Sequence, residues 1–71
     1  MKNQVEVLRK QMGLSQDAFA KAMQVSRQTI SAIETGKYNP SLDLAFEIAH
    51  FFGKPIEEIF IYERGKSHEK E

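Results

Sequence analysis

Apolar residues return every three or four positions along most of this chain, in short bursts broken by serine, glycine and proline, the rhythm of helices that bury one face. Val5, Leu8 and Met12 form the first burst, and Gly13 stands where a left-handed residue would end that helix. Ser15 is placed to cap a second helix over residues 16–23, with Leu14 and Phe19 clamping its entry and Phe19, Ala22 and Met23 as its buried stripe. The arrangement then repeats: Ser26 is a cap, Val25 and Ile30 clamp, Ile33 extends the stripe and Gly36 stops it. Ser41 caps a longer helix carrying Leu44, Ala45, Ile48, Ala49 and Phe52, which Gly53 ends. Pro55 opens a last short helix with Ile56, Ile59 and Phe60 turned inward, and Glu57 and Glu58 in its first turn favour the positive end of the helix dipole.

These signals predict an all-α domain of five helices. The closing stretch "FIYERGKSHEKE" begins apolar and ends charged. Residues 60–63 admit an extended reading, as a short terminal strand paired with residues 2–5. The domain is expected over residues 1–63, with 64–71 as a charged flexible tail.

Only Gln24 and Val25 separate the second helix from the Ser26 cap of the third, and so short a link forces a sharp crossing. Ala20 lacks the bulk that would hold the two backbones apart, while Phe19, Met23, Val25, Ile30 and Ile33 make an apolar wedge between them. This spacing suits a helix-turn-helix, whose second member is propped outward so that its start can enter a DNA major groove. Its polar side carries Arg27, Gln28 and Ser31. An arginine fork matches O6 and N7 of guanine, and a glutamine amide can pair twice with adenine, so these residues have the chemistry to read base edges. Lys37, Asn39, Thr35 and the free N–H groups at helix starts suit phosphate.

The formal net charge is zero, which by itself argues against a polyanionic partner, yet the distribution reverses that inference. Residues 1–40 hold six basic and three acidic residues, while residues 41–71 hold four basic and seven acidic ones. One end is therefore attractive to phosphate while the whole stays balanced. With no cysteine, disulfides and thiolate metal sites are excluded. His50 and His68 have no second ligand at a metal spacing, so no metal and no cofactor are expected. No serine has a base and oxyanion partner in view and no phosphate-binding glycine loop exists, so enzyme activity is not expected. The start is too polar for a signal peptide and no apolar run nears the roughly 18 residues that span a bilayer, which predicts a cytoplasmic protein with no membrane partner.

From Leu8 to Phe60, "LRKQMGLSQDAFAKAMQVSRQTISAIETGKYNPSLDLAFEIAHFFGKPIEEIF" resembles the Cro and cI-type (Xre) helix-turn-helix regulators, above all the short bacterial repressors that share "SRQTISxIExGKYNPSL". The resemblance covers about three quarters of the chain. It implies a five-helix, phage-repressor-like domain that binds double-stranded operator DNA as a dimer. Position by position, it implies that Gln16 touches a phosphate and supports the reading residues, that Arg27 and Gln28 face base edges, and that Ala32 sits where larger members place a further reader. It implies that Thr35, Lys37, Tyr38 and Asn39 grip the sugar-phosphate backbone and that Arg9 and Glu34 form a structural ion pair; the helix start at Ser26 is a phosphate candidate by its free N–H groups alone. One departure stands out: the family's turn usually has glycine where this chain has Gln24, and a left-handed backbone there would cost about 1 kcal/mol.

Phe46, Phe51, Phe52, Ile56, Ile59, Phe60, Ile61 and Tyr62 crowd the second half with bulky apolar groups. Either all belong to the core, or the region from Phe51 to Tyr62 (Phe51, Phe52, Ile56, Ile59, Phe60, Ile61, Tyr62) makes a twofold dimer contact. The expected function is a homodimeric transcription regulator, most simply a repressor, on an inverted-repeat operator. Two rivals stand beside it: an antitoxin with a second small protein as partner, and a protein-interaction module without DNA binding.

Overall fold

Three serines set the helix starts. The hydroxyls of Ser15, Ser26 and Ser41 accept hydrogen bonds from the N–H groups of Ala18, Thr29 and Leu44 at 3.0, 3.1 and 3.2 Å. Each satisfies a donor that the first helical turn leaves open, an effect worth about 1 kcal/mol. In the computed structural model, which describes residues 1–62, the elements run β1 (Lys2–Asn3), α1 (Val5–Gln11), α2 (Gln16–Met23), α3 (Arg27–Glu34), α4 (Leu42–Phe52), α5 (Ile56–Ile59) and β2 (Phe60–Ile61). Among the described residues the fold is helical, with one small sheet that pairs β1 with β2.

Helix stops are as local as the starts. At the end of α4, Gly53 adopts φ 67°, its N–H donates to the His50 carbonyl at 3.2 Å, and the Lys54 N–H donates to that of Ala49 at 3.1 Å. That double closure satisfies two carbonyls the helix cannot reach for itself.

Val5, Phe19, Ile30, Ile33, Ile48 and Ile59 are fully buried, so every helix contributes to one core. Burying side chains of this size stabilises by roughly 1.5–3 kcal/mol each. Phe51 and Phe52 close the open side of the core against Phe19, with ring centroids 5.4 and 5.2 Å from it.

Several expectations are corrected here. Met12 is 52% exposed and lies past the last residue of α1; the inward position one turn after Val5 belongs to Arg9, which is 6% exposed. Ala22 is exposed, and Ala20 takes its place on the buried side of α2, because the crossing with α3 falls on the face defined by Phe19, Ala20 and Met23. Phe60 leaves α5 and enters β2.

The strand pairing is antiparallel, with Lys2 opposite Ile61 and Asn3 opposite Phe60. It is shorter than the 2–5 with 60–63 pairing expected, since Gln4 already turns into α1 and its N–H donates to the Ile59 carbonyl at 2.8 Å. Residue 63 and the expected tail at 64–71 lie outside the described residues.

Candidate nucleic-acid interface

The turn between α2 and α3 is made by Gln24 in a left-handed conformation, φ 62° and ψ 41°. Its N–H donates to the Lys21 carbonyl at 3.1 Å and that of Val25 to the Ala20 carbonyl at 3.0 Å, the same double closure that ends α4. Geometry that glycine reaches freely is thus held here by a glutamine. Ala20, 3% exposed, lets α3 pass close against α2, and Ile30 and Ile33 are drawn wholly into the core. What remains outside on α3 is its polar side.

At the start of α3 the Ser26 hydroxyl, besides capping, lies 2.9 Å from the Thr29 hydroxyl. Arg27 is two-thirds exposed; its Nε donates to Gln16 Oε1 at 3.4 Å and stands 3.8 Å from Asp17 Oδ1. Neither terminal nitrogen of the fork donates a hydrogen bond to the described residues. Gln28 is exposed and makes no side-chain hydrogen bond to them, while Ser31 and Ala32 are half-buried further along the helix.

The loop after α3 folds back on its own helix. The Ala32 carbonyl accepts from the N–H groups of Lys37 and Tyr38 at 3.0 and 3.2 Å and from the Thr35 hydroxyl at 3.2 Å. That anchorage leaves the side chains of Lys37, Tyr38 and Asn39 exposed.

Behind this face runs a polar chain that ties three helices. Arg9 donates from Nε to Glu34 Oε2 at 2.6 Å and from Nη2 to Oε1 at 3.2 Å, while its Nη1 donates to the Leu14 carbonyl at 2.7 Å. The Gln16 amide donates to Glu34 Oε1 at 3.0 Å. Its Nε2 being so used, the oxygen of that amide is the atom turned toward Arg27. The hydrogen bond to Glu34 holds the Arg9 proton above the guanidinium's ordinary range, against the effect of burial. No buried side-chain nitrogen or oxygen among the described residues lacks a partner.

Asn3 belongs to this framework and sequence reasoning passed over it. Its amide donates to the Ile33 carbonyl at 2.8 Å and its oxygen accepts from the Val5 N–H at 3.1 Å, joining β1 to the end of α3 and the start of α1. An asparagine just before a helix was the available signal.

Of the seven residues expected at a dimer contact, Ile59 is wholly inside the core and has no surface to offer a partner. Phe51 and Phe52 are half-buried against Phe19, and Ile56, Phe60 and Ile61 are half-buried as well. Tyr62 is 60% exposed, and so, on α4, are Leu42 at 68% and Phe46 at 48%. Leu42, Ala45, Ile56, Phe60 and Tyr62 line an apolar groove of about 450 Å³, and Phe46 and Ile56 line its neighbour. The exposed apolar surface therefore joins Leu42 and Phe46 of α4 to Ile56, Phe60 and Tyr62 of the expected segment. No helix among the described residues is long and apolar enough to cross a membrane.

A recognition helix set across a supporting helix, with its start exposed and its rear locked into the core, defines a DNA-binding module of the helix-turn-helix class. The chain belongs to the Helix-turn-helix (HTH_3) family, whose model matches residues 5–59. It is 60% identical over 63 residues to an uncharacterized HTH-type transcriptional regulator of Methanocaldococcus jannaschii, covering 89% of this chain and 96% of the relative. A second such regulator, from Archaeoglobus fulgidus, is 41% identical over 70 residues, 99% of both chains. The Bacillus subtilis regulator YgzD is 45% identical over 60 residues, 84% of this chain and 91% of its own. The chain is accordingly a Cro and cI-like DNA-binding transcription regulator and not an enzyme. The relatives come from archaea as well as bacteria, so the likeness to short bacterial repressors carries no implication of a bacterial source.

Proposed function

We propose that this regulator is a repressor that occupies an inverted-repeat operator as a homodimer. The observation that carries the reading is the state of the start of α3: among the described residues Arg27 hydrogen-bonds only through Nε and the exposed Gln28 beside it makes no side-chain hydrogen bond, while Ile30 and Ile33 lock the helix's rear into the core. The fork of Arg27 and the amide of Gln28 read base edges in the major groove, with Ser31 and Ala32 lining the floor of the contact. Lys37, Tyr38, Asn39, Thr35, Gln16 and the helix start at Ser26 hold the phosphate backbone and fix register. The apolar outer side of α4, with Tyr62, faces a second copy. A twofold pair sets the two α3 helices about 34 Å apart, one turn of duplex, and blocks polymerase by occupancy. A second small protein on the same apolar side is the competing occupant, favoured by the same exposed Leu42 and Phe46.

Selection of bound duplexes from random DNA by the full chain tests this reading. The expected yield is an inverted repeat with half-sites one turn apart, bound more weakly as salt rises. Arg27→Ala is expected to relax preference at one position per half-site, and Lys37→Ala to weaken all sequences about equally. Identical specificity profiles for the two variants would contradict the division of roles.

A further inference from the structure

The basic half of the chain, residues 1–40, contains three acids. Two are accounted for by their neighbours: Glu6 pairs with Lys10 one turn away at 2.9 Å, and Glu34 is buried against Arg9. The third, Asp17, is three-quarters exposed at the start of α2, and its one partner among the described residues is Arg27.

An acid in the first turn of a helix is favoured by the helix dipole, which explains an Asp at such a position in general. It does not explain why a carboxylate stands beside the arginine that the proposed function assigns to base reading, on a surface meant for a polyanion. At 3.8 Å and largely solvated, the pair contributes little to stability.

We propose that Asp17 is a positioning residue for Arg27 and sets the specificity of the interface at the expense of raw affinity; this rests on the DNA-reading role given to Arg27 above. Arg27 Nε gives its one N–H to Gln16 Oε1 and the Asp17 carboxylate stands 3.8 Å from the same nitrogen, which biases the guanidinium by its inner edge and leaves the terminal fork without a hydrogen bond to the described residues. A fork so held can engage a guanine, whose two acceptors it matches, but must leave Asp17 to follow a phosphate. Asp17 also repels the backbone, and that repulsion is the same for every sequence. The gain from a well-aimed fork arises only where a guanine meets it. The penalty is thus general and the benefit selective, which widens the gap between cognate and other DNA.

The test compares wild type, Asp17→Asn, Asp17→Glu, Arg27→Ala and the Asp17→Asn, Arg27→Ala double variant. Each is titrated against the duplex selected by wild type and a scrambled duplex of equal composition, at one salt concentration. Asp17→Asn is expected to tighten scrambled binding by roughly 2- to 5-fold. It should also narrow the ratio between the two duplexes by roughly 3- to 10-fold. Asp17→Glu should keep most of the ratio. Without Arg27, Asp17→Asn should tighten both duplexes alike and leave the ratio where it was, a coupling that loss of a helix-dipole contact would not produce. An unchanged ratio for Asp17→Asn, or the same change whether or not Arg27 is present, overturns the proposal while leaving the operator reading intact. A wild-type protein that prefers no duplex overturns both.

Discussion

Arg9 and Glu34 meet through two parallel hydrogen bonds, 2.6 and 3.2 Å long, with side chains only 8% and 3% exposed. They lie 25 residues apart in sequence, on α1 and α3. An ion pair this dry stabilises only because its other groups are satisfied as well, here by the Leu14 carbonyl and the Gln16 amide.

Removing one member leaves the other charged and buried. Arg9→Ala or Glu34→Ala is expected to lower the unfolding free energy by about 3–5 kcal/mol, a large share of what so small a domain has. Replacing both, Arg9→Met with Glu34→Leu, should recover much of the loss, since no unpaired charge remains. Urea unfolding of the three variants checks this; equal losses for the single and double variants would mean that the pair itself, and not the stranded charge, sets the stability.

Gln24 holds a left-handed backbone with an exposed side chain. Gln24→Gly is expected to stabilise by about 0.5–1 kcal/mol, seen as a rise of a few degrees in the thermal midpoint. A fall in the midpoint would show that the glutamine side chain supports the turn.

Asn3 bridges β1 to both α1 and α3. Asn3→Ala should destabilise by about 1–3 kcal/mol, chiefly through the Val5 N–H it leaves unsatisfied, since the Ile33 carbonyl keeps the Gly36 N–H at 3.0 Å, and Asn3→Asp should retain the contact to the Val5 N–H while losing the other. Hydrogen exchange at the Gln4 amide, which closes onto Ile59, is expected to quicken in both.

The outer side of α4 separates association from folding. Leu42→Asp with Phe46→Asp, at positions 68% and 48% exposed, should leave the thermal midpoint within a few degrees of wild type. The same variant should sediment as a monomer and bind an inverted repeat far more weakly. Ile59→Asp, in the core, is expected to unfold the chain. A double variant that still sediments as a dimer would move the contact elsewhere.

The sequence alone determined the helices, because their signals are local. Ser15, Ser26 and Ser41 cap by reaching three residues ahead, Gly53 stops α4 by its own backbone freedom, and the spacing of Ile30 and Ile33 decides which side of α3 turns inward. The exposure of Arg27 and Gln28 follows from that spacing and was legible beforehand. Tertiary structure decided everything that depends on a neighbour distant in the chain. Period shows which residues share a face of one helix, but not what comes to cover that face. So Arg9 is buried because Glu34, the partner the resemblance implied for it, arrives opposite; Met12, expected inward, is left in solvent because nothing does. Ile59 is consumed by the core, while Leu42 and Phe46 are left outside it, along grooves that α4 shares with α5 and that no further element of the described residues covers. The link from Gln16 through Glu34 to Arg9 needed three helices brought together, and no pattern within any one of them encodes it.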